Sequence, residues 1–143
     1  MKKVLAFLLV ILLIQIVYQC IPSYAAEGAL LNVDDIIKNV DPDKVTQAQF
    51  KEYYKTIEGK KAKGQGKVVN VFPGGKNIHR VRILTSASEP EKGYNVVLFT
   101  VQDAPSELKK NDKIFFEGEV GHIIPYKGAC IDLHGTYKKT GEK

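Results

Sequence analysis

The sequence predicts a mainly β fold: a small closed barrel of five strands, preceded by one or two short helices. Three observations carry that expectation. Apolar residues recur at helical spacing only as far as Ile57, and from Lys60 onward the period changes to two. Five alternating runs follow, separated by segments rich in Gly, Pro, Asn and Asp. The first run is long and carries Gly64 and Gly66 in its middle, as a strand needs where it bends to serve both sides of a closing barrel.

The chain of 143 residues opens with Met1-Lys2-Lys3, an unbroken apolar run from Val4 to Ile14, and Ser23-Tyr24-Ala25-Ala26. This is the layout of a secretory signal peptide, expected over residues 1–25 with cleavage after Ala25 or Ala26. The apolar run is shorter than the roughly 20 residues that span a bilayer. Cys20 raises lipidation, but Gln19 stands where a lipobox wants a small residue, so cleavage is the expectation. The protein is thus expected to be exported, periplasmic or extracellular. About 117 residues would remain, enough for one small domain with a core. They hold one cysteine, Cys130, so no internal disulfide can form and packing must hold the fold. Flanked by Ala129 and Ile131, Cys130 reads as a packed apolar residue, and no neighbouring motif supports a nucleophile.

Residues 26–45 form an N-terminal segment in which Val33, Ile36, Ile37 and Val40 predict a short helix over 32–40, ended by Asp41-Pro42-Asp43. Thr46 and Gln49 are spaced as a capping box, Phe50, Tyr53, Tyr54 and Ile57 make one apolar stripe, and Gly59 stops the helix. Strands are expected over residues 60–72, 78–85, 94–101, 113–122 and 129–137. The barrel domain, with its leading helix, would span 46–137, and 138–143 would be a tail. Five short strands, a long first one and a segment between the third and fourth predict the five-stranded Greek-key barrel known as the OB-fold.

Three stretches carry a resemblance. They are Gly59-Lys60-Lys61 with Gly66-Lys67-Val68-Val69, then Tyr94-Asn95-Val96-Val97-Leu98, then the run from Leu108-Lys109-Lys110-Asn111-Asp112 to Val120. Over residues 46–137 the chain resembles small exported bacterial OB-fold proteins of the tRNA-anticodon-binding-domain-like group. The resemblance implies the fold; it carries over no catalytic residues, and a fold is a weak warrant for function.

With 21 Lys and Arg against 16 Asp and Glu, the chain has a formal net charge of +5. Residues 27–49 are net acidic and residues 51–82 strongly basic, which gives the surface a direction. The Lys-Gly run is not a phosphate loop, because Gln65 stands where the lysine of that motif belongs, and Gly64-Gln65-Gly66 lacks the third glycine of a dinucleotide fingerprint. Strict alternation instead puts Ala62, Gly64, Gly66, Val68 and Phe72 on one face and Lys61, Lys63 and Lys67 on the other. On the second strand Arg80 and Arg82 share a face, and strand pairing would set these five cations side by side as a basic stripe. Such a stripe attracts anionic polymers, although a solvated face that keeps the chain soluble has the same pattern.

Binders of single strands pair charge with exposed rings. Tyr94, Phe115 and Tyr126 are the candidates, with Lys76 in the first turn, while Phe72 and Phe116 are expected to point inward. Three scattered histidines leave Asp132 and His134 as the only same-face pair, so no metal site or cofactor is predicted. The expected function is a non-enzymatic binding or adaptor module for an anionic polymer, polysaccharide or nucleic acid. The alternative is a structural module in an envelope or extracellular assembly, with Tyr94, Val96 and Leu98 on an outer face against a protein partner.

Overall fold

A computed structural model describes residues 28–87, 89–90, 92–126 and 128–141. The expected signal peptide and Cys20 lie outside the described residues. Two helices come first: α1 (Val33–Asn39), reached through a short strand β1 (Leu31–Asn32), and α2 (Gln47–Ile57). The Asn32 side chain caps α1, and the Thr46–Gln49 capping box starts α2 as expected. Gly59, at φ +74°, supplies the left-handed turn beyond α2.

The barrel strands are β2 (Lys61–Phe72), β3 (His79–Leu84), β4 (Val96–Thr100), β5 (Lys113–Ile124) and β6 (Cys130–Lys139), with a single-turn helix α3 (Ala104–Glu107) between β4 and β5. They pair in the order β2-β3-β4-β6-β5, and β5 closes on β2. All these pairs are antiparallel except β4 with β6. This is the five-stranded OB-fold barrel that the periodicity predicts, with β1 added in parallel along the start of β2. Neither β1 nor α3 was legible: two residues carry no period, and Ala104-Pro105-Ser106-Glu107 reads as a turn.

One strand closes the barrel. The first half of β2 pairs with β5, the second half pairs with β3, and Lys67 sits opposite both Lys113 and Leu84. The glycines make this bend packable. A Cβ on Gly66 would lie 2.5 Å from the Ile83 side chain and 2.6 Å from the Leu84 carbonyl oxygen, and one on Gly64 would lie 2.6 Å from the Phe116 ring. Val33 of α1 stands just beyond Gly64, so the bend also lets α1 press Val33, Ile36 and Ile37 into the core. There they join Val81, Leu98, Ile114 and Leu133, all fully buried.

The turn into β5 is built by its own sequence. Asp112 accepts the Lys109 N–H at 2.9 Å and an ion pair from Lys139 at 3.3 Å, which together hold its carboxyl below the usual carboxylate range. β4 starts at Val96, later than expected, and just before it the Asn95 side chain is buried. It accepts the Thr85 N–H at 2.9 Å and donates to the Thr85 hydroxyl at 3.0 Å, and its backbone reaches both Ile83 and Ile131. That buried clamp ties β3, β4 and β6 together.

Substituting Gly66→Ala is expected to cost about 1–3 kcal/mol through overpacking, read as a lower urea midpoint. Gly75→Ala, where nothing lies within 4 Å of an added Cβ, should leave the midpoint in place. Equal midpoints for the two would mean that β2 does not turn against β3 as described.

Candidate functional site

Two residues of β2, Val69 and Asn70, set the site by an irregularity. Val68 pairs with Ile83 but Asn70 pairs with Arg82, so one extra residue enters the strand between them. A bulge of this kind reverses which side chains face the core. Beyond it Val71 packs inward opposite Val81, and Phe72 points outward opposite Arg80. The expectation of an inward Phe72 is therefore corrected: the bulge turns it onto the outer face.

There it meets the arginines. The Arg82 guanidinium lies 4.6 Å from the Phe72 ring centroid and 4.5 Å from that of Tyr94, and Arg80 approaches Phe72 from 5.8 Å. Each ring holds the cation by its quadrupole, worth about 0.5–2 kcal/mol according to exposure. Residues paired across a ladder share a face, so the register extends this surface. Arg80 faces Phe99, which faces His134, and Arg82 faces Val97, which faces Asp132. The Phe99 and His134 rings stack at 4.9 Å between centroids and 15° between planes. Where the face meets the β5–β6 loop, the Lys92 ammonium sits 4.8 Å from the Tyr126 ring centroid.

Loops frame the face at the positions where OB barrels meet ligands. The β2–β3 turn carries Lys76 and Asn77 at φ 57° and 62°, and Gly74 is required there because a Cβ would fall 1.5 Å from the Ile78 carbonyl oxygen. The exposed Lys76 is thus presented at the rim. The β5–β6 loop turns through Gly128 at φ +84°, packed on Pro90, and brings Tyr126 over Cys130. Burial, and the neighbouring Cys130, push the Tyr126 hydroxyl well above the ordinary tyrosine range.

The five expected cations are not one stripe. Lys61 and Lys63 face outward, but they oppose Glu119 and Glu117 of β5, and Lys67 opposes Lys113 and Leu84. The arginines lie on β3, opposite the far half of β2 and beyond the bend. Strand alternation gave the correct side for each lysine but not its neighbours, since those depend on which strand β2 pairs with at that point. Phe115, 49% exposed, also lies away from the arginines, opposite Gln65 and Lys138, on the rim of a cavity of about 440 Å³ that includes Lys63 and Glu117. The outer protein-docking face is corrected too, because Val96 and Leu98 are fully buried and Val97 and Phe99 take the outer positions. Phe99 and Lys92 were not anticipated; alternation from Val96 inward would have found Phe99, whereas nothing local marks Lys92.

Cys130 is buried, and burial raises its thiol above the ordinary value despite the nearby Tyr126 hydroxyl. Among the described residues, no group of three His, Cys, Asp or Glu side chains is placed to hold a metal ion.

No protein-family model matches the chain, and no curated protein does. Among solved structures it is similar to OBody AM1L10 bound to hen egg-white lysozyme, at 14% identity and a TM-score of 0.44, covering 62% of this chain and 85% of that one. It is also similar to Entamoeba histolytica asparaginyl-tRNA synthetase, at 16% identity and a TM-score of 0.41, covering 60% of this chain and only 22% of the synthetase. By its own strand order the chain is an OB-fold barrel, one that carries on an outer sheet face an arginine, Arg82, held by two aromatic rings.

Because its thiol is buried and poorly ionised, Cys130 is expected to stay unmodified by a thiol reagent such as dithionitrobenzoate in the native protein at neutral pH. It should react fully in denaturant. Rapid modification of the native protein would contradict the burial described.

Proposed function

We propose that this protein is an exported, non-enzymatic binding module whose ligand is an anionic polymer held on the β3–β4 face. The observation that carries the reading is Arg82 between the Phe72 and Tyr94 rings. Such a guanidinium is oriented before any ligand arrives, so less rotamer entropy is lost on binding. Among the described residues no ion pair occupies Arg80, Arg82 or Lys92, which leaves three cations to meet ligand charges. Aromatic surface beside them supplies the packing that charge alone lacks. Export rests on the basic start, apolar run and small residues of the first 26 positions, in keeping with the resemblance to exported OB-fold proteins.

Binding of the purified protein to a heparin oligosaccharide, an oligo-dT strand and a neutral glycan tests the face. With three contacts, affinity for an anionic strand should fall with salt at a log–log slope of about −2. Arg82→Ala should weaken binding about tenfold, whereas Lys63→Glu, on the first half of β2 opposite β5, should leave it nearly unchanged. No affinity for either polyanion, or equal losses from both substitutions, would sink the reading.

Export has its own check. In a secreting host the chain should leave the cytoplasm and lose the mass of its first 25 or 26 residues. Retention at full mass in the cytosol would contradict it.

A further inference from the structure

The centre of the face is not uniformly basic. Asp132 stands on it, half-buried, in register with Val97, which is itself in register with Arg82. Two interstrand spacings, about 10 Å, therefore separate the carboxylate's strand from the guanidinium's strand. His122 and His134 flank the carboxylate, and the Tyr54 hydroxyl of α2 lies close enough to feel its charge. Burial disfavours its ionisation and the two histidines favour it, but no hydrogen bond from a described residue is among the influences on it. A half-buried acceptor thus waits beside the Phe99–His134 stack.

This combination separates ligand classes. A nucleic-acid strand carries a phosphate at every nucleotide, and one that ran from Arg82 along the face would be pressed against a like charge, which disfavours it. An acidic polysaccharide alternates its carboxylates with neutral ring faces and hydroxyl groups. Its hydroxyls can donate to Asp132 in charge-assisted hydrogen bonds, its carboxylates can take the fork of Arg82 or Arg80, and its ring faces can pack on Tyr94 and Phe99. Resting on the binding face proposed above, we propose that the polymer is a carboxylated polysaccharide and that Asp132 selects it against nucleic acid by accepting sugar hydroxyls.

The test compares a hyaluronate oligosaccharide, in which each carboxylated sugar alternates with a neutral one, with an oligo-dT strand by titration calorimetry. Wild-type protein should bind the saccharide more tightly. Asp132→Asn keeps the shape, removes the charge, and should weaken saccharide binding about tenfold while strengthening oligo-dT binding. Asp132→Ser should act in the same direction, and unchanged thermal midpoints for both variants would exclude a loss of fold. Tighter binding of oligo-dT by the wild type, or losses of equal size for both ligands on Asp132→Asn, would overturn the assignment of ligand class while leaving the binding face intact. No binding of either ligand by the wild type, or binding that Arg82→Ala leaves unchanged, would overturn the binding face itself.

Discussion

The structure depends on one strand having two partners. β2 begins against β5 and ends against β3, and a strand can do this only by bending where its side chains would otherwise collide. Gly64 and Gly66 stand at that bend because the atoms of Phe116, Ile83 and Leu84 occupy the space a Cβ would need. Closure then removes the free edges of the sheet and lets both flanking layers of side chains share one core. The helix α1 belongs to the same arrangement, since its Val33 packs where Gly64 leaves room.

The bend also sorts the charges. Lys61 and Lys63 on the first half of β2 are balanced across the ladder by Glu119 and Glu117, whereas the second half opposes β3 and its arginines. A bulge at Val69 and Asn70 then turns Phe72 outward, where it meets both arginines, and Arg82 gains Tyr94 as a second aromatic partner. Tyr94 is held there by its neighbour Asn95, whose buried amide is bonded to Thr85 and whose backbone joins β3 to β6. A rigid polar clamp beneath a face of rings and guanidinium groups holds those groups in fixed positions.

Much of the fold was legible from local pattern. The capping box at Thr46 and Gln49, the stripe from Phe50 to Ile57, the glycines of β2 and the Lys109–Asp112 turn each act within a few residues, and each takes the form its spacing implies. The site was legible only in part. Arg80, Arg82, Tyr94 and Tyr126 were identified as residues and meet on one side of the barrel, but Lys61, Lys63 and Phe115 do not join them.

By itself the sequence determined the strands, the barrel they form and the side on which most charged residues lie, because periodicity, capping and turn chemistry are short-range properties. Only the tertiary structure decided which charges are neighbours, that Phe72 faces outward, and that Asp132 shares a surface with Arg82. The physical reason is that strand pairing and a single inserted residue act between segments far apart in the chain. One extra residue reverses every face beyond it, and no local pattern records where that residue will fall.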